Sequence, residues 1–406
     1  MTTATLELAL NQQLPGTMPR GNPTTPAPQD GHRWPQVLRR YREPNLARSL
    51  AELAWTAAPF AALWWLMWLS LGYGYWLCLL LAVPAAGFLV RLFMIQHDCG
   101  HGSFFRRRSA NDWLGRAIGV LTLTAYGHWR QRHAVHHAAS GNLDRRGIGD
   151  VDTLTVREFE RLPVGRRLAY RLSRSPLAVL GIGPLHMFVL KHRLPEKLTR
   201  ASGAAWRSIM VTNLAIAGVV VVMAALVGWR DFLLVQAPIT WLASSIGVWL
   251  FYVQHQHEHA YWERDAGWSF QAGAMEGSSH LDLPPVLRWF TANIGVHHVH
   301  HLSSRIPSYR LSAVLRDHPE LRETNRLTLR HSLQCFRLAL WDEDTKRLVS
   351  FREARRLAHA GGASGTPVLL GAARQEARSR PERHRPRALD PALRLAPCGE
   401  REGCST

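Results

Sequence analysis

Histidine is concentrated in three short motifs whose spacing suits metal binding. The motifs are HDCGH, with His97 and His101; HAVHH, with His133, His136 and His137; and HHVHH, with His297, His300 and His301. Residues three or four positions apart share one face of an α-helix. Neutral imidazole binds iron, zinc, copper and nickel. The repeated spacing therefore predicts a metal centre.

The number of histidines indicates two metal ions. Eight imidazoles in three motifs exceed the four ligands of a structural zinc site, which usually include cysteine. The HExxH motif of zinc proteases is absent, and HDCGH, with Asp98 in place of Glu, is the nearest approach. The Glu-x-x-His motif of soluble di-iron bundles does not match these motifs either. A di-iron site here would have only histidine ligands.

Two long apolar blocks predict four membrane-spanning helices. The block from about residue 50 to 95 is divided by Gly72-Tyr73-Gly74 into stretches 51–71 and 75–95, and a second block, 206–254, is divided near Gly228. Each stretch can cross a bilayer core of about 30 Å as a helix.

The remaining segments are either shorter apolar runs or polar stretches. The runs 113–124 and 176–190 are shorter and predict interfacial or re-entrant helices. We expect residues 1–46 to form a polar, disordered tail and pre-membrane segment, 47–350 the membrane domain, and 351–406 a basic, disordered tail.

The charge distribution predicts the orientation in the membrane. The chain has 49 Lys and Arg against 30 Asp and Glu, a net charge of +19, which favours an anionic membrane surface over nucleic acid. Two helical hairpins place both termini and segment 96–205 on one side, which carries nearly all the basic residues. By the positive-inside rule this side is cytoplasmic, and all three histidine motifs lie on it. The five scattered cysteines fit a reducing compartment.

The three motifs resemble the histidine boxes of membrane fatty acid desaturases, which read HxxxH or HxxxxH, then HxxHH twice. The similarity covers about residues 50–345 and includes FYVQHQHEHAYW after the fourth apolar stretch. The stretches HHAASGNLDRRGIGDVDTLT and ANIGVHHVHHLSSRIPSYRL look like bacterial acyl-lipid desaturases of the omega-6/delta-12 type.

This resemblance implies an all-α integral membrane protein, in which four transmembrane helices carry a cytosolic helical cap that holds a histidine-ligated di-iron site. The eight box histidines would bind the metals and be catalytic, with His255 as a ninth ligand. His257 and His259 are its competitors, since His259 follows His255 at helical spacing. His298 is left out of the ligand set. Carboxylates that could orient the imidazoles are those of Asp98, Asp144, Asp150 and Asp152; Asp98 could instead cap a helix.

The implied reaction uses O2 and two Fe²⁺ ions to introduce a cis double bond into an acyl chain carried on a lipid or as a thioester. Electrons would come from an external, ferredoxin-like donor, and the enzyme would lie in the bacterial cytoplasmic membrane. An oxygen-inserting hydroxylase of the same superfamily, acting on fatty acyl, alkane or carotenoid substrates, is the alternative. A non-enzymatic metal-handling membrane protein is a third possibility, although transporters place ionisable residues within their spans.

Overall fold

The computed structural model describes residues 34–195 and 202–363, and the side chains of the last helix as far as Leu357. The predicted disordered tails therefore lie largely outside the described residues. The helices are, in chain order, α1 Trp34–Val37, α2 Leu46–Ser70, α3 Tyr75–His101, α4 Arg108–Leu121, α5 Tyr126–Ala139, α6 Val156–Arg161, α7 Val164–Ser173, α8 Gly183–Leu185, α9 Gly203–Val227, α10 Trp229–His255, α11 Phe270–Met275, α12 Pro285–Phe290, α13 His297–Leu302, α14 Ser308–Asp317, α15 Leu329–Gln334 and α16 Phe351–Ala363. The strands are β1 Leu154–Thr155, β2 His280–Asp282, β3 Arg326–Thr328, β4 Leu340–Asp342 and β5 Arg347–Val349.

Four helices in the described chain, α2, α3, α9 and α10, are long and apolar enough to cross a membrane. They are the four that the apolar blocks predict. Each pair is joined by a tight turn with a glycine at positive φ, Gly74 at 148° and Gly228 at 85°, a conformation that glycine adopts without steric penalty. These glycine turns divide each apolar block into a helical hairpin, α2–α3 and α9–α10.

Helix α3 is the central helix of the membrane region. It packs against α2, α4 and α10, and 56% of its most apolar window is buried, against 6% for α9. Its inward side chains, which include Leu89, Leu92 and Ile95, belong to the main hydrophobic core. The helix that carries the first histidine box is thus the most firmly held of the four.

A buried ion pair joins α2 to α3. The sequence shows Arg91 as a lone charge in an apolar stretch, but its guanidinium donates to the Glu52 carboxylate and to the carbonyl of Trp289. It also donates to Thr56 Oγ1 at 3.2 Å and lies 4.1 Å from the centre of the Trp289 ring. Arg91 and Glu52 are only 4% and 6% exposed. Burying a charge is tolerable only when it is paired and hydrogen-bonded.

The structure differs from the predicted all-α fold in having two small sheets. One has the order β1-β4-β5, with β1 parallel to β4, and the other pairs β2 with β3 in parallel. Strands of two or three residues are too short to show an alternating pattern in the sequence. They join segments far apart in the chain, since Leu154 aligns with Leu340.

The segment after residue 350 also differs from the expected disorder, because α16 is helical over Phe351–Ala363. Phe351 contacts the rings of Phe159 and Tyr170, and Ala354 is buried. Tertiary packing of this kind stabilises most short helices. The two short apolar runs are helical as predicted and are not among the candidate spans found in the described residues.

Replacing Arg91 with Leu should destabilise the protein by about 3–5 kcal/mol, because Glu52 would remain buried without its partner. The double variant Glu52→Leu, Arg91→Leu should recover most of this loss. Arg48→Ala removes an exposed partner that lies 2.7 Å from Glu52 and should cost at most about 1 kcal/mol. Unfolding in detergent measures all three, and a double variant no more stable than Arg91→Leu would contradict the role of the pair.

Candidate metal centre

Four helices bring the predicted histidines together. His97 and His101 lie in the last turn of α3, which ends where Gly102 adopts a φ of 67°. The second box lies on α5, and the third box is α13 itself. His255 is the last residue of α10. Since α3 and α10 both end at this cluster, their ends lie on the same side of the membrane.

The nine predicted histidines form two sets, and within each set the potential ligand atoms lie within 4.8 Å of one another. The five-histidine set contains His97, His101, His133, His137 and His300. The four-histidine set contains His136, His255, His297 and His301. Each set combines residues from the second and third boxes, so the boxes do not correspond to separate sites.

Four Nε2 atoms of the five-histidine set lie close to one another. His133 Nε2 lies 3.1 Å from Nε2 of both His101 and His137, and His137 Nε2 is also 3.1 Å from that of His300. An imidazole nitrogen carries either one hydrogen or one lone pair, so His133 Nε2 can make only one good hydrogen bond to these two neighbours. A shared cation would satisfy all these nitrogens together.

The four-histidine set has the same arrangement. His255 Nε2 lies 3.1 Å from Nε2 of His136 and 3.0 Å from that of His297, which in turn is 3.1 Å from His301 Nε2. With metal–imidazole bonds of about 2.1 Å, ligands at right angles are about 3.0 Å apart, whereas tetrahedral ligands are about 3.4 Å apart. The donor atoms therefore fit a metal with near-perpendicular ligands better than tetrahedral zinc.

Two partners orient rings of the four-histidine set. His136 Nδ1 hydrogen-bonds to the Asp150 carboxylate, and His255 Nδ1 lies 3.2 Å from the carbonyl oxygen of Gly277. When Nδ1 donates to such an acceptor, Nε2 carries the lone pair that binds a metal. Of the four predicted carboxylates, Asp150 is thus the one hydrogen-bonded to a box histidine.

The other three carboxylates have different partners. Asp144 accepts from Arg264 at 2.7 Å, and Asp152 is exposed, so neither prediction holds. Asp98 accepts from the backbone N–H of Ser308, at 2.8 Å, and its carboxylate is 3.7 Å from His97 Nδ1, too far for a hydrogen bond. It caps the first residue of α14, a helix other than its own.

Five of the imidazoles lie outside the membrane-spanning helices, and burial keeps them neutral. Removal from water, followed by the neighbouring histidines, lowers the pKa well below its ordinary value at His133, His137, His297, His300 and His301. A metal ligand must be unprotonated. The pocket thus favours the protonation state that binds metal.

The competing histidines lie outside both sets. Helix α10 ends at His255, and Gln256 has a non-helical conformation, so the helical spacing that linked His259 to His255 does not apply. His259 is exposed. His257 is buried, which lowers its pKa to about 3, and His298 Nε2 lies 2.9 Å from the carbonyl oxygen of Leu321.

Comparison with known proteins is consistent with this geometry. The fatty acid desaturase family model matches residues 74–332. A protein of Bacillus subtilis named fatty acid desaturase is 45% identical over 78% of this chain and 90% of its own length. The chain belongs to the fatty acid desaturase family.

More distant relatives are named for particular reactions. An sn-1 oleoyl-lipid 12-desaturase of Synechocystis is 29% identical over 55% of this chain and 63% of its own length. An sn-1 acyl-lipid omega-3 desaturase (ferredoxin) of Nostoc is 28% identical over 54% of this chain and 61% of its own length. The family match thus covers most of the chain.

The desaturase also uses an aromatic support that sequence reasoning missed. The Trp129 ring stacks on His133 with centroids 4.6 Å apart, and it also contacts His97. A Cβ atom at position 100 would lie 2.7 Å from Trp129 Cζ3, so Gly100 in HDCGH makes room for this ring. Trp129 precedes His133 by four residues, and that helical spacing is the signal that could have identified it.

We expect Asp150→Asn to weaken metal binding by the four-histidine set about 10- to 100-fold, because the amide orients His136 less well. Asp144→Asn alters a carboxylate of the same segment that contacts Arg264 instead and should leave metal content unchanged. Metal analysis of the purified variants measures both effects. Equal metal content in the two variants would rule out the orienting role of Asp150.

We also expect His255→Ala to lower bound metal by about half, because one of the two sets loses the ligand that ends α10. His259→Ala is the matched control and should retain the full content. The opposite result, with metal lost from His259→Ala, would assign the ninth ligand to His259.

Proposed function

We propose that this protein is an O2-dependent di-iron desaturase that introduces a cis double bond into an acyl chain. The observation that carries this proposal is the convergence of nine histidines into adjacent five- and four-member sets in a member of the fatty acid desaturase family. The proposed ligands, and the proposed catalytic residues, are His97, His101, His133, His136, His137, His255, His297, His300 and His301.

The donor set supports iron as the metal. One set offers five nitrogens, which exceeds the four ligands of zinc, and the Nε2 separations suit near-perpendicular ligands. Imidazole is an established iron ligand, and oxygen-activating non-haem iron sites use it. Iron, when bound, supplies O2 reduction and the removal of hydrogen from an unactivated methylene.

The protein's own residues prepare this chemistry. Asp150 and the Gly277 carbonyl fix the tautomers of His136 and His255, and the Trp129 ring fixes the plane of His133. The four-histidine set is fully buried, and exclusion of water there protects a reactive oxidant from side reactions. Regiochemistry then depends on how the acyl chain is positioned rather than on acid–base groups.

We place the site and both termini on the cytoplasmic side. The ends of α3 and α10 that carry the histidines are followed by segments rich in arginine, which the positive-inside rule assigns to the cytoplasm. The helices and short strands beyond these ends would form a cytosolic cap over the metals. We propose the domain limits predicted from the sequence, 47–350 for the membrane domain, extended to include the start of α16, because Phe351 packs against Phe159 and Tyr170.

The substrate we propose is an acyl chain carried on a membrane lipid, and the electron donor a ferredoxin-like protein. Several relatives are named as desaturases of acyl lipids, and two of these names also specify ferredoxin. The basic surface of this chain suits an acidic donor, since opposite charge steers association.

Expression of this chain in cells that lack it should produce a new cis double bond in membrane acyl chains, and His300→Ala should abolish that product by removing a ligand of the five-histidine set. His259→Ala, an exposed histidine outside both sets, should retain activity. Gas chromatography–mass spectrometry of lipid extracts measures the product.

A hydroxylated acyl chain as the main product would show that the protein inserts oxygen and would overturn the proposed desaturation. An active His300→Ala variant with unchanged metal content would overturn the assignment of the five-histidine set.

A further inference from the structure

A second site with a distinct chemistry lies where α7, the turn after α15 and α16 meet. It is a cavity of about 410 Å³. Its lining consists of Arg171, Arg174, Ser175, Pro176, Phe336, Arg337, Phe351, Arg352 and Arg355. Five of these nine residues are arginines, and none is acidic.

The arginines on the outer walls of this cavity have no acidic partner among the described residues. Arg337, Arg352 and Arg355 are exposed, and within the described part of the chain they make no ion pair. The nearest acidic neighbour in sequence, Glu353, pairs instead with Arg347. Arginines gathered without counterions favour the binding of an anion.

Arg174 is the most deeply buried arginine of the cavity. It is 5% exposed, and its Nε and Nη2 lie 3.2 Å and 3.0 Å from the Tyr170 hydroxyl. Nη2 also lies 3.2 Å from Thr153 Oγ1, but Nη1 has no hydrogen-bond partner among the described residues. These contacts fix the guanidinium in the wall of the cavity, so its charge favours an anion there without the loss of further side-chain freedom.

The surroundings of the cavity are those of a membrane surface. Val164, Leu168 and Leu172 lie four residues apart on α7 and are 79%, 56% and 60% exposed. They form an apolar stripe on a helix that also carries Arg166, Arg167 and Arg171. Such a helix lies in the bilayer interface, with its apolar face among the lipid chains.

The cavity also lies close to the end of α10, which agrees with a position at the membrane surface. Phe336 in its wall stacks on Tyr252, with ring centroids 5.2 Å apart, and Tyr252 lies in the last turn of α10. The cavity therefore lies level with the end of a membrane-spanning helix. Lipid phosphates lie at this depth.

We propose that this cavity binds the phosphate of an anionic phospholipid headgroup. Guanidinium groups bind phosphate oxygens through paired, charge-assisted hydrogen bonds. Free phosphate shares this chemistry, and the apolar stripe beside the cavity is what favours a lipid. The site involves none of the nine histidines and does not depend on the reaction proposed above.

The full-length chain, freed of lipid in detergent, can be titrated with dioleoyl-phosphatidylglycerol while native mass spectrometry counts the bound lipid. We expect one tight site, weakened about tenfold or more in the double variant Arg352→Ala, Arg355→Ala, which removes two charge-assisted contacts. The matched double variant Arg161→Ala, Arg356→Ala removes the same charge from exposed positions outside the cavity and should bind normally. Arg337→Glu, from another wall, should also weaken binding and serves as a second test if the first variant is unstable.

Three ligands separate the sources of binding. Dioleoylglycerol, which lacks phosphate, should not bind the site, and dioleoyl-phosphatidylcholine should bind more weakly because its choline is repelled. Inorganic phosphate should not displace the lipid at equal concentration. Displacement by phosphate, equally tight binding of dioleoylglycerol, or equal loss in both double variants would overturn the proposal.

Discussion

The crowding of nine imidazoles, six of them buried, at the ends of two membrane-spanning helices is the constraint on which the rest of this structure depends. Neutral rings whose nitrogens lie 3.0–3.1 Å apart cannot all satisfy one another by hydrogen bonding. Their positions must therefore be fixed by packing and by a few well-placed acceptors. The central position of α3, the exact end of α10 at His255 and the space left at Gly100 all serve this requirement.

Contacts between the first and third boxes show how the fold holds the histidines in position. Asp98 lies inside the first box, and its carboxylate accepts from the N–H of Ser308, which opens the helix after the third box. Asn293, before the third box, contacts both Ser308 and Ser312 of the same helix. The segment before α13 is thus hydrogen-bonded to α14, and α14 is hydrogen-bonded to the end of α3. The third box is held between these contacts.

Local spacing was enough to predict much of this arrangement. The HxxHH and HxxxH patterns fix a helical face, and the apolar blocks fix four helices, so the convergence of the boxes followed from the sequence. What could not be predicted depends on contacts between distant residues. Glu52 is the partner of Arg91 across 39 positions, β1 pairs with a strand near residue 340, and α16 is stabilised by Phe159 and Tyr170. The choice between His255 and His259 depended on the residue at which a helix ends, the least certain feature of a sequence pattern.

The division of the third box between the two sets has a consequence for biosynthesis. His300 completes one set, and His297 and His301 complete the other, so neither set is complete until the third box has been translated. By then all four membrane-spanning helices have left the ribosome. In the proposed di-iron enzyme, metal would therefore be loaded late, after the membrane-spanning helices have been made. A chain stopped before the third box would lack the full ligand set of both proposed sites.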